Sequence, residues 1–144
     1  MENRLFKRKD LSKIFDGKNQ ETIRSWIDKG YIPLKEEGGR ARAHIFGFDE
    51  VLKASLFMKF YDMGYDARFA DRLAKKVTAE DWHSVIEEGK LFFVLENFEH
   101  ARACQVRTFD EFEGPFVVDE GAEGVMIING KRLLEEVKQR IKNL

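Results

Sequence analysis

Side chains that can bind phosphate or the edges of bases occur close together between residues 18 and 44. Arginine binds phosphate, or the O6 and N7 atoms of guanine, through two parallel hydrogen bonds. Lysine, hydroxyl, amide and imidazole groups contact phosphates and bases as well. The candidate residues for a nucleic-acid contact are Lys18, Asn19, Gln20, Thr22, Arg24, Ser25, Arg40, Arg42 and His44.

Arg24 is the strongest candidate in this set, because its guanidinium suits either a phosphate or a guanine edge. Lys18, Asn19 and Thr22 are interpreted as phosphate contacts near the beginning of a helix, where unpaired backbone N–H groups also attract anions. Glu21 could accept a hydrogen bond from cytosine. The favoured alternative is that its carboxylate stabilises the positive end of the helix.

The sequence contains no recognisable catalytic or metal-binding pattern. His44, His83 and His100 lack the paired spacing of a zinc site, and Cys104 is the only cysteine. A phosphate-cradling glycine loop, a dinucleotide fingerprint and a nucleophile motif are all absent from the sequence. We therefore expect a protein that is not an enzyme and that needs no cofactor or metal.

Two short helices joined by a tight turn are predicted to position the first candidate residues. The apolar spacing of a short helix occurs at Leu11, Ile14 and Phe15, and again at Ile23, Trp26 and Ile27. Asp10 is the expected N-cap of the first helix, and Gly30 is the expected end of the second. Residues 16–19 contain Gly and Asn, which suit a turn. This arrangement is a helix-turn-helix candidate.

A β-hairpin and two further helices are predicted next along the chain. Extended segments flank Gly38 and Gly39, which suit a turn, so the arginines and histidine that follow lie on a hairpin. Gly47 and Glu50 have the spacing of a helix start. The helix expected over residues 48–63 is apolar almost all round and should be buried. A further helix, capped by Asp66, is expected to follow, with residues 69, 70, 73, 74 and 77 on one face.

Charge divides the chain into a basic half and an acidic half. Residues 1–77 contain 17 Lys and Arg against 12 Asp and Glu, whereas residues 78–144 contain 8 against 14. Only the basic half suits a polyanion. The sequence therefore predicts two domains. Residues 1–77 would bind DNA, and residues 78–144 would serve dimerisation, an effector or a partner.

The second half is predicted to form a small antiparallel sheet followed by a C-terminal helix. Thr78 is expected to cap a short helix that extends to residue 87. Short apolar runs separated by turn residues predict strands at residues 91–96, 103–109, 116–119 and 125–128. The last helix is expected over residues 131–143.

Two features of this half have alternative interpretations. The 3, 4, 3 spacing of a coiled-coil seam between two protomers occurs at Leu134, Val137, Ile141 and Leu144. Packing of this stripe on the sheet of its own chain is an equally weighted alternative. A small-molecule effector pocket could be lined by Phe92, Phe93, Phe98, Phe109, Phe112 and Phe116, although a core position is favoured for them.

In order and spacing, residues 11–77 resemble the DNA-binding domain of the MerR family. Residues 21–32 are similar to its recognition helix, with Thr22, Ile23, Arg24 and Trp26 at matching positions of the family's Thr-Leu-Arg-Tyr-Tyr-Glu motif. Residues 39–46 are similar to its wing. The motifs at residues 46–51 and 63–65 resemble the entries to its third and fourth helices.

The resemblance implies an α+β protein with a winged helix-turn-helix that binds double-stranded DNA as a homodimer and regulates transcription. Metal sensing is not expected, because the long coiled-coil helix and effector-binding cysteines of the metal-sensing members are absent. Two alternatives remain open. One is an excisionase-like or phage DNA-architectural or packaging protein, and the other is a degenerate winged-helix module that binds a protein. With no apolar run of membrane-spanning length and no signal peptide, a cytoplasmic protein is expected.

Overall fold

The computed structural model describes residues 3–39, 42–79, 82, 92–96, 105–109 and 125–144, and for 92–96, 105–109 and 125 it describes the backbone. The helices are α1 (Arg8–Ile14), α2 (Gln20–Asp28), α3 (Phe48–Asp62), α4 (Ala67–Ala79) and α5 (Gly130–Lys142). The strands are β1 (Phe92–Glu96), β2 (Gln105–Phe109) and β3 (Val125–Asn129). The described chain is therefore broadly α+β, as expected.

Helix α1 begins earlier than the sequence predicts. Its first residue is Arg8, so Asp10 lies inside the first turn instead of preceding the helix. The Asp10 carboxylate accepts a hydrogen bond from the Lys7 N–H at 2.8 Å, which provides a partner for a backbone group at the helix end. The prediction of Asp10 as the N-cap was wrong, because the same acidic residue suits both positions.

Helix α2 presents one apolar face to the core. Ile23, Trp26 and Ile27 are buried, as their spacing predicts. The Trp26 ring meets the ring of Phe57 edge-on, with centroids 5.1 Å apart. After the helix ends, Gly30 adopts a φ of 78°, a conformation that glycine reaches without steric cost. The remaining faces of α2 point away from the core.

The 36–45 hairpin follows α2 and is held by an antiparallel bridge near each end. Near its tip, Gly39 N–H donates to Arg42 O at 3.1 Å, and Arg42 N–H donates to Gly39 O at 3.2 Å. Directly after the hairpin, Phe46 pairs with Phe6 through two backbone hydrogen bonds of 2.8 and 2.9 Å. Both rings are buried, so the hairpin is anchored to the segment that precedes α1.

Helix α3 lies at the centre of the molecule and buries residues on all sides, as predicted. Its beginning is stabilised by the Glu50 carboxylate, which accepts from the Gly47 N–H at 3.0 Å. Helix α4 packs beside it and continues through Ala79, so Thr78 lies inside α4. There the Thr78 hydroxyl donates to the Lys75 carbonyl at 3.3 Å. The prediction that Thr78 caps a new helix was therefore wrong.

The three strands form an antiparallel sheet in the order β2-β1-β3. On β3, Met126 and Ile128 are buried while Ile127 is 41% exposed, the alternation of a strand with one covered face. The expected strand at residues 116–119 lies outside the described residues. So do most of the expected 78–87 helix and the side chains of all six phenylalanines considered for an effector pocket.

Helix α5 packs on its own chain, against α1, α3 and β1. Val137 and Ile141 are only 2% and 0% exposed, whereas Leu134 is half-buried and Leu144 is 39% exposed. A seam through these four residues would require two of them to leave the core. Val137 and Ile141 therefore pack within their own chain, while a contact with a second protomer through this stripe, and the oligomeric state, stay predictions.

One cluster of buried residues extends across both halves of the chain, from Phe6 to Ile141. It includes Trp82, whose indole N–H donates to Asp49 of α3 at 2.9 Å. The division into residues 1–77 and 78–144 stays a prediction, and the core is shared between the described parts of both. Among these parts, no helix has the length and apolar character needed to cross a membrane.

Candidate nucleic-acid interface

A groove of about 500 Å³ lies between the beginning of α1, one side of α2 and the 36–45 hairpin. It is lined by Lys7, Arg8, Lys9, Gln20, Arg24, Ile27, Asp28, Arg42, Ala43 and His44. Five of these side chains are cationic and one, Asp28, is acidic. We call this surface the basic groove. Its concave shape and excess of positive charge suit a polyanionic ligand.

The cations of the basic groove have no ion-pair partner among the described residues. Within the described part of the chain, none of the five forms an ion pair. Elsewhere, by contrast, Lys53 pairs with Asp49 at 3.0 Å and Lys75 pairs with Asp71 at 2.9 Å. A ligand phosphate would therefore meet these groove cations without first breaking an internal ion pair.

Gln20 and Arg24 lie one turn apart on α2, and both are exposed in the basic groove. The buried residues of α2 determine this orientation, since i and i+4 positions share a face. Arg24 also borders a shallow groove on the outer side of α2, with Glu21, Ser25 and Lys29. Arg24 therefore lies where the two surfaces meet, whereas Ser25 and Glu21 belong to the outer one.

The hairpin contributes Arg42 and His44 to the basic groove. His44 Nδ1 accepts a hydrogen bond from the Gly38 N–H at 3.0 Å, so in this arrangement the ring proton is on Nε2. Gly38 passes so close to the opposite strand that a Cβ would lie 2.4 Å from Arg42 O. Gly38 and His44 thus hold the two strands together beside Arg42. Arg40 lies outside the described residues.

Lys18 and Asn19 are not among the residues that the structure brings together here. Lys18 Nζ lies 2.7 Å from an Asp62 carboxylate oxygen and 5.4 Å from the centre of the Tyr61 ring, and its side chain is 18% exposed. Asn19 Oδ1 accepts from the Thr22 N–H at 2.8 Å and caps α2. Both side chains therefore have structural partners, and Thr22 is half-buried beside them.

The acidic residues of the hairpin border a different surface. Glu36 and Glu37 line a separate groove of about 360 Å³ together with Lys7 and Arg42. Lys7 and Arg42 therefore stand between the acids and the basic groove. Repulsion of an anion by these glutamates is reduced, because two cations lie on the same surface and the acids do not line the basic groove.

Sequence reasoning missed Lys7, Arg8 and Lys9, which line the basic groove from the beginning of α1. The available signal was a run of three cations directly before the first apolar stripe. A charge run is usually a solvated face, so the run alone does not identify a binding site. Its significance depends on the position of the hairpin across the groove.

The described residues contain no group of three or more His, Cys, Asp or Glu side chains that could hold a metal ion. Neither a protein-family model nor a curated protein sequence matches this chain.

Proposed function

We propose that this protein binds double-stranded DNA through a winged helix-turn-helix, in which α1 and α2 are the helix pair and the 36–45 hairpin is the wing. The observation that supports this most strongly is the basic groove. Helix α2 and the hairpin border it together, and five unpaired cations of the described chain line it. Such an array matches the dense negative charge of a duplex.

In this proposal α2 enters the major groove, which is about 12 Å wide and admits one α-helix. Arg24 contacts a guanine edge or a phosphate, and Gln20 has the amide group that pairs with the N6 and N7 atoms of adenine. The two side chains are separated by about 6 Å along the helix axis. They would therefore read base pairs no more than about two steps of 3.4 Å apart.

The other cations of the basic groove would contact the DNA backbone. Lys7, Arg8 and Lys9 approach it from α1, and Arg42 approaches it from the wing. Contacts to phosphate set the position of a protein on DNA without reading its sequence. Each phosphate that the protein neutralises steepens the dependence of log K on log salt concentration by about 0.9.

We further propose that the protein acts as a dimeric transcriptional regulator, as its resemblance to the MerR family implies. A single protomer has room for few base contacts, whereas a two-fold dimer would double them and read two half-sites. Of the stripe considered for the dimer contact, Val137 and Ile141 are buried within one protomer, which leaves Leu134 and Leu144 for a partner.

Selection from a library of random duplexes with the full chain tests this proposal. We expect enriched sequences that contain two related half-sites, with centres one helical turn of about 10 base pairs, or a multiple of it, apart. Cooperative coverage of adjacent sites with strong bending would instead support a DNA-architectural protein. Absence of both enrichment and salt-dependent binding would contradict DNA binding and favour a protein-binding module.

A further inference from the structure

Asp28 is the one acid among the described residues that line the basic groove. It is the last residue of α2, its side chain is exposed, and it forms no ion pair with a described residue. Gln20, Arg24 and Asp28 follow one another at every fourth position of α2, and all three line this groove. The acid therefore lies in the same row as the two side chains proposed to read bases.

Neither helix stability nor attraction of phosphate accounts for an acid at this position. The C-terminal end of a helix carries partial negative charge, which disfavours a carboxylate there. The last turn of α2 contains no basic residue, and Lys29, which follows it, forms no ion pair with Asp28 in the described chain. A carboxylate in the basic groove also repels the phosphates of a duplex. The feature that distinguishes this position is Arg24, one turn earlier.

Arg24 and Asp28 are neighbours on the surface of α2. Side chains four residues apart on a helix have Cβ atoms about 5–6 Å apart, which is within reach of a guanidinium and a carboxylate. Both residues line the basic groove, and both also line the shallow outer groove of α2. The pair is open in this structure. An open pair agrees with its order along the helix, because a cation that precedes an acid forms the weaker arrangement at this spacing.

We infer that Asp28 is a positioning residue, which holds the guanidinium of Arg24 on a guanine edge when a duplex occupies the basic groove. This inference rests on the proposed function. A guanidinium has more donors than the two acceptors of a guanine edge can use, and the Asp28 carboxylate would accept from those that remain. The contact would be stronger in the complex than in the free chain, because the duplex displaces water from between the two charges.

The same carboxylate would make phosphate a poorer partner for Arg24. A phosphate beside Arg24 would also lie near the negative charge of Asp28, whereas a guanine edge carries no net charge. Asp28 would therefore increase discrimination between base pairs and at the same time lower the affinity for unrelated sequences. These two effects have opposite signs on the two kinds of duplex, and a measurement can separate them.

The test measures duplex affinities of the full chain by fluorescence anisotropy. The duplexes are the one enriched by selection, a set with single base pairs replaced, and a scrambled duplex of equal length. Arg24→Ala identifies the base pair that Arg24 reads, as the position where discrimination is lost. The test variant is Asp28→Asn, which removes the charge at nearly constant size. The matched control, Glu135→Gln, removes the same charge from an exposed position of α5.

We expect Asp28→Asn to lower discrimination at that base pair by about 2- to 5-fold and to raise affinity for the scrambled duplex by about 2-fold. Asp28→Glu should keep most of the discrimination, because its carboxylate still reaches Arg24. Glu135→Gln should change neither quantity. In the Arg24→Ala background, Asp28→Asn should cause no further loss of discrimination, because Asp28 acts through Arg24.

Folding of the variants is verified by thermal melts. The midpoint of Asp28→Asn should be unchanged or higher, because an unfavourable charge at the end of α2 is removed. If the midpoint falls, Asp28→Ala is measured in its place, with the same expected loss of discrimination.

The outcomes separate this inference from the proposed function. Unchanged discrimination by Asp28→Asn, or the same loss with and without Arg24, would overturn the inference and leave the basic groove in place. Equal losses for Arg24→Ala on every duplex would assign Arg24 to phosphate, which also overturns the inference while binding persists. If the unmodified protein shows no salt-dependent binding, the proposed function falls, and the role of Asp28 falls with it.

Discussion

Arg24 is the side chain whose surroundings best suit a contact with a base. It is exposed on α2, it lies one turn from Gln20, and it forms no ion pair within the described chain. A guanidinium without an internal partner can satisfy its planar set of donors with a guanine edge or a phosphate. The interpretation of Arg24 as the leading base contact can therefore be tested by substitution.

Arg24→Ala should weaken binding to the selected duplex by about 1–3 kcal/mol, or roughly 5- to 150-fold, and should weaken binding to a scrambled duplex much less. The reason is that a contact with a base strengthens binding to the selected duplex only. The two affinities are measured by titrating each duplex with the protein. The control is Lys13→Ala, which removes an exposed charge of α1 that does not line the basic groove. Equal losses on both duplexes would reassign Arg24 to phosphate.

The types of the candidate residues could be predicted from the sequence, but their partners could not. Lys18, Asn19 and His44 have groups that bind DNA in many proteins, yet here they contact Asp62, the α2 backbone and Gly38. The Asn19 cap is a local pattern and could be expected. The Lys18 pair joins positions 44 residues apart. Such a contact depends on how α2 packs on α3, which no local spacing encodes.

The 36–45 hairpin illustrates how an element can depend on the size of one residue. Gly38 faces the backbone of the opposite strand, where a Cβ would lie 2.4 Å from Arg42 O and 2.7 Å from His44 N. For Gly39, the next residue, no described residue other than its chain neighbours comes within 4 Å of the position of a Cβ. The two glycines therefore form a matched pair for testing the hairpin.

Gly38→Ala should displace Arg42 and lower duplex affinity several-fold, because the atoms in its way are backbone atoms and the strands must separate. Gly39→Ala should bind nearly as the unmodified protein does. Duplex titrations measure the affinities, and thermal melts verify that both variants fold. Equal affinities for the two variants would show that the hairpin geometry does not matter for binding.

The location of the apolar helix faces follows from the sequence, whereas helix boundaries and the partner of the last helix do not. The apolar spacing in α2 and α3 predicts their buried residues. The boundaries at Asp10 and Thr78 were misplaced, because each residue type suits a cap and also a position inside a helix. For α5, one apolar stripe fits either a second protomer or its own core, and only the fold decides between them.

Ile141→Ala should destabilise the protein by about 2–5 kcal/mol, because Ile141 is 0% exposed and its loss leaves a cavity. Leu144→Ala, at a residue 39% exposed, should change stability by less than about 0.5 kcal/mol. Denaturant unfolding at several protein concentrations measures both. A loss for Ile141→Ala that grows on dilution would contradict burial within one protomer, since dimer stability depends on concentration.

At the scale of the whole molecule, α5 connects the C-terminal part of the chain to the helix pair. Arg140 of α5 donates to the carbonyl of Ile14, the last residue of α1, at 2.8 Å. From the segment before α1, Arg4 donates to the carbonyl of Ile141 in the last turn of α5 at 3.4 Å. Cations at the C-terminal ends of helices are favourable. The C-terminal end of α1 is thus contacted by an arginine of α5, and the C-terminal end of α5 is contacted by an arginine that precedes α1.

The charges of the chain are divided between a basic first half and an acidic second half. Residues 1–77 have a positive excess, and five cations against one acid line the basic groove, while residues 78–144 have an excess of acids. Under the proposed function, the acidic half would be repelled from a duplex, so DNA would occupy one side of the molecule. The two halves share a core, and this orientation is therefore constrained by the fold.

The central claim is that the basic groove binds DNA through its unpaired cations. The most direct measurement is the salt dependence of duplex affinity for the full chain and for the variant Arg24→Gln, Arg42→Gln. We expect salt-dependent binding by the unmodified protein and a slope smaller by about 2 for the variant. A variant with the slope of the unmodified protein, or an unmodified protein that binds no duplex at low salt, would contradict the account.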